Sequence, residues 1–478
     1  RDAAPDPSEA AADSARRAVP RQATTDATPA PRAGGPRALA VPSGRFTRFA
    51  RFGGMAGGLG ARAAVGGLAD LAAGRRRGMR DLLLTPGNMR RVADELARMR
   101  GAAMKVGQLM SMDAGEMLPP ELAEVLARLR AEADFMPPRQ LRAALDAQWG
   151  RGWLSRFRRF DPRPMAAASI GQVHYAETKD GRRLAVKVQY PGVRRSIRSD
   201  VDNVAALVRW SGLAPAGLDL GPLMEEAKRQ LEDEADYARE AAELAAWGAR
   251  LADVEGVAVP RPHADLSTAE VLAMDFMPGR PVETLAEADR ATRARAVSRL
   301  LDLTLRELFE FGTMQTDPNF ANYLWDAGAD RLVLLDFGAS RALPAETTQG
   351  YRALLVAGLG GDRAGMAAAA EALGFLGPED APRHRAAVVG MIDRAMAALA
   401  EDWPLTRVRA ELVPEMREAG LALAEDGGFG SVAPMPTLLV QRKLAGMFLL
   451  AARLEVDPGA RGALEARLGP LASAPPSA

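Results

Sequence analysis

Cysteine is absent from all 478 residues, and that absence removes disulfides, thiolate nucleophiles, Cys-ligated zinc and iron–sulfur clusters in one step. Histidine is nearly absent. His174, His263 and His384 are the three present, far apart in sequence, so a histidine-built metal centre is not expected; no G-x-S-x-G elbow points to a serine hydrolase either. Neither charge sign prevails: 62 Lys and Arg stand against 61 Asp and Glu, a net charge of +1, which gives no reason to expect nucleic acid as a partner. Also missing is a run of roughly 20 uncharged apolar residues of the kind that crosses a bilayer. The best approaches, 52–74 and 437–454, are broken by Arg62 and Asp70 and by Arg442 and Lys443. The expectation is a chain that is soluble or attached to a membrane surface, with no transmembrane helix.

Residues 1–45 contain no aromatic and only Val19, Leu39 and Val41 as large aliphatics, too little apolar surface to offset the entropy of ordering. They read as a disordered tail, and five acids within them argue against a transit peptide. The stretch 46–74 has two G-x-x-x-G spacings, Gly53 to Gly57 and Gly54 to Gly58, with phenylalanines and arginines nearby; a helix-packing face, a linker and a membrane-surface segment all fit it. From Thr85 to about Gly150 the pattern is helical, with Val92, Leu96, Met99, Ala103 and Val106 recurring at alternating spacings of four and three. The period then shortens. IGQVHYAE (170–177) and RLAVKVQ (183–189), joined by Lys179-Asp180-Gly181, read as a β-hairpin. One long charged helix is expected over 222–248, strands at 257–260 and 270–277, and helices beyond Glu283 interrupted by the strand Leu332-Val333-Leu334-Leu335. The expected fold class is α+β. The expected units are a disordered tail (1–45), a helical extension (46–150), a small β-rich lobe (151–277), a mainly helical lobe (278–469) and a second disordered tail (470–478).

Phosphoryl transfer needs a cation on the nucleotide phosphates, a group that holds that cation in place, oxygen ligands for Mg²⁺, and an acid near the transferring group. Candidates for each occur in protein-kinase order. Lys187 stands mid-strand in Ala185-Val186-Lys187-Val188, and Glu240 on a following helix is a candidate partner for it. Asp317 and Asn322 have the D-x-x-x-x-N spacing, and the apolar strand after them runs straight into Asp336-Phe337-Gly338. Asn322 and Asp336 are the candidate Mg²⁺ ligands, and Asp317 the group that orients or deprotonates an acceptor. Two departures are visible. Ala166-Ala167-Ala168-Ser169 occupies the place of a glycine-rich phosphate loop, where Cβ atoms restrict close backbone approach, and Gln315-Thr316 replaces the His-Arg that precedes the loop aspartate in ordinary protein kinases.

With Lys105-Val106-Gly107-Gln108 as its K-x-G-Q, Ala166 to Ser169 as its alanine-rich loop, Glu234-Ala235-Asp236 as its E-x-D, and QTDPNFANY followed by DFG, the chain resembles the UbiB family of atypical kinases, the AarF-like group associated with ubiquinone biosynthesis. The resemblance covers roughly 46–345. It implies a two-lobed protein-kinase-like fold whose N-terminal helical extension covers the active site. It further implies regulatory Lys105 and Gln108, with Lys105 paired to Glu234 and Asp236, and adenine bound at a hinge, Met274 to Met277. ATP or ADP with Mg²⁺ would be the cofactors. Partners would be a membrane lipid or prenyl-quinone intermediate and ubiquinone-biosynthesis enzymes, with a homodimer left open, and the location would be cytoplasmic, peripheral to the inner membrane. The expected activity is that of a Mg²⁺-dependent ATPase or phosphotransferase supporting ubiquinone biosynthesis. A nucleotide-gated lipid-binding or chaperone-like partner of biosynthetic enzymes and a true protein kinase are the alternatives.

Overall fold

The computed structural model describes residues 99, 101–103, 105–106, 135–210, 220–317, 319–425 and 433–468. Both expected tails, the 46–74 segment, Gln108 and most of the expected helical extension lie outside the described residues. In chain order, helix α1 (Pro138–Trp149) leads into strands β1 (Phe157–Phe160), β2 (Ala166–Ala167), β3 (Gly171–Thr178) and β4 (Arg183–Gln189). Helices α2 (Val193–Trp210), α3 (Leu220–Glu234) and α4 (Tyr237–Arg250) precede β5 (Val257–Ala258), β6 (Val271–Asp275) and β7 (Arg280–Pro281). Then come α5 (Arg290–Arg306), β8 (Thr313–Gln315), β9 (Tyr323–Asp326), β10 (Arg331–Leu334) and β11 (Ser340–Ala342). The remainder is helical, from α6 (Ala345–Leu359), α7 (Arg363–Ala372) and α8 (Pro382–Ala400) to α9 (Val413–Glu425), α10 (Met435–Arg453) and α11 (Ala460–Leu468).

The β3–β4 hairpin forms as expected, with Gly181 at φ 90° supplying the left-handed residue its turn requires. It is the centre of an antiparallel sheet ordered β1-β3-β4-β6, with β2 on the β3 edge. Alternation along β4 separates two environments. Leu184, Val186 and Val188 face Leu141 and Leu145 of α1 in one core, whereas Ala185 joins Leu244 and Trp247 of α4 in another. Lys187 shares the parity of Ala185, so the sheet turns its lysine inward, toward α4. α1 is built for its place: Pro138 opens it, where no N–H is needed, and its two buried leucines lie four residues apart on one face.

The single helix expected over 222–248 is two helices. The chain breaks at Ala235-Asp236 because the Asp236 carboxylate accepts the Arg239 N–H at 3.1 Å and caps α4; a side chain that satisfies an orphan N–H starts a new helix more readily than it continues an old one. β5 forms within the expected strand 257–260 and pairs in parallel with β10 in a second sheet, ordered β5-β10-β9-β7, separate from the first. A third, two-stranded sheet pairs β8 with β11. The core that contains Ala185 and Trp247 runs on through Leu300 of α5 and Phe337 to Leu450 of α10, binding the sheet to the helical part. Among the described residues no helix is long and apolar enough to cross a membrane.

Candidate active site

The two small sheets bring the DxxxxN loop and the DFG together. The loop 316–322 connects β8 to β9 and the DFG connects β10 to β11, so pairing β9 with β10 and β8 with β11 lays one connection beside the other. The backbone closes the seam: Leu335 N–H donates to the Asn322 carbonyl at 3.0 Å, and Thr316 N–H donates to that of Ala339 at 3.2 Å. Asp317 and Asn322 touch directly, the Asn322 amide donating to Asp317 Oδ2 at 3.1 Å while the Asn319 N–H donates to Oδ1 at 3.2 Å.

From the sheet side, Lys187 Nζ donates to Glu240 Oε1 at 2.7 Å, to Glu240 Oε2 at 2.9 Å and to Asp336 Oδ2 at 3.3 Å. The ammonium also lies 5.2 Å from the centre of the Tyr237 ring. Lys187 and Glu240 are both buried, while the Asp336 side chain is 30% exposed and marks the cleft. Burial works against the Lys187 charge, but Asp336 and Glu240 outweigh it and hold its pKa well above the ordinary lysine value. Burial pushes the Glu240 carboxyl up to about 7 against the attraction of Lys187. Burial opposes the Asp336 charge as well, yet Lys187 and the Gly338 N–H, 2.9 Å from Oδ1, keep that carboxyl below its usual range. The DFG phenylalanine is fixed by stacking: Phe337 and Trp247 rings are 5.2 Å apart at 26°, and Trp247 donates to Ser340 Oγ at 2.9 Å.

Lys105 reaches Glu234 at 3.5 Å, and Glu234 accepts a hydrogen bond from Ser169. One carboxylate thus ties the helical residues 105–106 to the end of the alanine-rich loop. The packing is close enough that a Cβ on Gly101 would stand 2.9 Å from the Ser169 carbonyl oxygen. Asp236 faces elsewhere, capping α4 and lying 3.6 Å from Arg194. Ala166 and Ala167 form the edge strand β2, exposed and paired to Val173 and Gln172, and Ala168 N–H bonds to Gly171 O at 2.9 Å. Met274 is buried opposite Ala185, and Met277 follows the end of β6, partly exposed.

Beneath the loop sits a group that no motif includes. Lys443 of α10 donates to the Gln315 carbonyl at 2.7 Å, to Gln315 Oε1 at 3.1 Å and to Tyr323 Oη at 2.7 Å, and lies 3.6 Å from Glu307 Oε2. Glu307 opens the π-turn Glu307–Phe311 that ends α5, and burial pushes its carboxyl up to about 7 despite Lys443. Next to Lys443, Arg442 Nη2 lies 4.0 Å from Asp317 Oδ1. The clue in sequence was a charged pair inside an apolar helix, LLVQRKLAGMFLL.

An antiparallel sheet whose inward lysine is held by a helix glutamate, set over a DxxxxN loop and a DFG, defines a protein-kinase-like phosphotransferase. The comparisons make the class narrower. Residues 128–370 match the ABC1 atypical kinase-like domain. The chain is 35% identical over 431 residues to atypical kinase COQ8, mitochondrial, of Saccharomyces cerevisiae, covering 87% of this chain and 83% of that one. It is 37% identical over 434 residues to atypical kinase COQ8B, mitochondrial, of Rattus norvegicus, covering 88% and 80%. The chain belongs to the UbiB family of atypical kinases, the family of ubiquinone biosynthesis. Its fold is also that of Rv3197 from Mycobacterium tuberculosis, solved with erythromycin, at a TM-score of 0.55 and 24% identity over 80% of this chain and 95% of that one.

Proposed function

We propose that this chain is a Mg²⁺-dependent ATPase or small-molecule phosphotransferase that supports ubiquinone, or another prenyl-lipid, biosynthesis from a membrane surface. The observation that carries the reading is the meeting of Lys187, Glu240 and Asp336 beside the loop of Asp317 and Asn322. In this reading Lys187, held by Glu240, contacts the α- and β-phosphates. Asp336 and Asn322 offer a carboxylate and an amide, hard oxygen donors that suit Mg²⁺, whose further ligands come from phosphate and water. Bound there, Mg²⁺ would neutralise charge on the phosphate oxygens.

Adenine enters between Met274 and Met277 and the alanine-rich loop, Ala166 to Ser169. Asp317 accepts the proton of the acceptor hydroxyl or water. Lys105, fastened to Glu234, acts as a regulatory latch, since its helical turn and Ser169 share that carboxylate. Gln108 is assigned to the same regulation, and ubiquinone-biosynthesis enzymes are the protein partners.

The test is ATP hydrolysis by the purified chain with Mg²⁺, with and without vesicles of anionic phospholipid containing a ubiquinone analogue, with every lipid and protein analysed for phosphate. Turnover that rises with vesicles and leaves no phosphorylated product supports the ATPase form, and a phosphorylated small molecule supports the transferase form. Turnover confined to phosphorylation of added proteins, or none at all, contradicts the reading.

A further inference from the structure

Asp317 is placed by its loop. Its Oδ2 accepts from the Asn322 amide and its Oδ1 from the Asn319 N–H, both within the loop from Thr316 to Asn322, so the carboxylate moves with that loop. At the loop's entrance Gln315-Thr316 stands where ordinary protein kinases have His-Arg. Support of a different kind reaches it from α10.

Val440, Lys443, Met447 and Leu450 are all buried and recur along α10 at spacings of three, four and three, which sets Lys443 on the stripe that faces the core. Its side chain is 1% exposed. An ammonium has three protons to donate, and these go to the two ends of the loop. At the end of β8 they reach the Gln315 carbonyl at 2.7 Å and Gln315 Oε1 at 3.1 Å, and at the start of β9 they reach Tyr323 Oη at 2.7 Å. Tyr323 Oη in turn donates to Gln315 Oε1 at 3.1 Å, joining the ends to each other. Glu307 Oε2, 3.6 Å away, lies beyond hydrogen-bond reach and serves as the counter-charge. Burial works against the Lys443 charge, but Glu307 and Tyr323 outweigh it and hold its pKa above the ordinary lysine value. A buried ion pair adds little stability over apolar residues of similar size. Stability therefore does not account for a lysine on this stripe; the placement of its donors does.

Resting on the reading of this cleft as a site for a magnesium–adenine nucleotide, we infer that Lys443 is a positioning residue for the transfer step, pinning both ends of the catalytic loop from below and so setting Asp317 against the acceptor. In that step the acceptor oxygen bonds to the γ-phosphorus as the bond from that phosphorus to the β–γ bridging oxygen breaks. The electron pair leaves with ADP, and the acceptor proton passes to Asp317. Lys443 touches none of the reacting atoms; it acts through Gln315 and Tyr323. Lys187 and Asp336, which hold the nucleotide in this reading, hang from β4 and the DFG and bond to each other rather than to Lys443. Loss of the Lys443 anchor therefore lowers kcat and spares nucleotide binding.

The experiment measures kcat and KM for ATP, Mg·ADP affinity and thermal unfolding for the full chain and for Lys443→Met, Lys443→Met/Glu307→Leu and Tyr323→Phe. Lys443→Met is expected to lower kcat by about a hundredfold, the cost of a misplacement of about 1 Å, with KM and Mg·ADP affinity within about twofold of wild type. Removing both buried charges in Lys443→Met/Glu307→Leu should restore the melting temperature and leave kcat low, a split that a merely structural role would not give. Tyr323→Phe, which keeps the ammonium and removes one of its ties, should lower kcat by about tenfold at unchanged nucleotide affinity, and it carries the test if Lys443→Met does not fold. Turnover that returns with stability in the double variant, nucleotide affinity that falls in parallel with kcat, or wild-type turnover in Lys443→Met or Tyr323→Phe would each overturn the assignment. So would a wild-type chain that binds nucleotide and never turns it over, since Lys443 would then serve no step. A wild-type chain that binds neither nucleotide would instead overturn the reading of the cleft itself, and the role of Lys443 with it.

Discussion

Lys187 of β4 and Glu240 of α4 are joined by two hydrogen bonds, at 2.7 and 2.9 Å, inside the protein. The pair ties sheet to helix and directs the remaining lysine contact to Asp336 at 3.3 Å. Removing one member leaves a buried charge uncompensated, which costs about 3–5 kcal/mol, whereas replacing both with apolar residues is close to neutral. Lys187→Met is therefore expected to lower stability in denaturant titration by about that amount. Lys187→Met/Glu240→Leu should regain most of it, and neither variant should bind nucleotide.

The titration of Glu240 gives opposite signs for activity and stability. Its pKa is raised from 4.5 to about 7, so in that window the folded chain holds a proton that the unfolded chain has released. Stability from this group is then fully present below pH 4.5 and declines as pH rises to about 7, in the same sense as that from Glu307. Lys187 and Lys443, both raised, titrate outside the window. If ionised Glu240 orients Lys187, kcat/KM should climb through about pH 7 in the wild type. The limb should be missing from Glu240→Gln. Glu307→Gln should keep the limb and reduce the loss of thermal stability across the window.

The cap of α4 is a separable contribution. Asp236 accepts the Arg239 N–H at 3.1 Å at the start of the helix that carries Glu240. Asp236→Ala should cost about 1 kcal/mol and Asp236→Asn much less, since asparagine caps as well. Chemical denaturation of the three proteins measures both.

At the start of β3 there is no room for a side chain. A Cβ on Gly171 would lie 2.5 Å from the Val188 carbonyl oxygen and 2.9 Å from Tyr237 Oη. Gly171→Ala is expected to destabilise by about 1–3 kcal/mol, the usual range for overpacking, with a lower Tm as the readout.

These contacts show what can be read from the chain alone. The hairpin was legible because Leu184, Val186 and Val188 alternate with Ala185, Lys187 and Gln189, and a lysine-aspartate-glycine turn precedes them. The motif residues were legible because D-x-x-x-x-N and DFG fix their own spacing. The break at Asp236 was hidden, since Ala235 and Asp236 fit inside a helix as well as at its end, and only the capping bond decides. β8, β9 and β11 are too short to show a period, and β8 and β11 pair only once the chain between them has folded. Lys443 was legible as a charge but not as an anchor, because Gln315 and Tyr323 come from more than 100 residues earlier.

Nucleotide affinity decides whether this cleft holds a magnesium nucleotide through Asp336 and Lys187. Mg·ADP binding to the wild-type chain and to Asp336→Asn should be measured by calorimetry, each with Mg²⁺ and again with EDTA. Binding to the wild type that EDTA weakens by at least about tenfold is expected, with little or no response to EDTA in Asp336→Asn because the metal's carboxylate is gone. Equal affinities for both proteins, unaffected by EDTA, would contradict it.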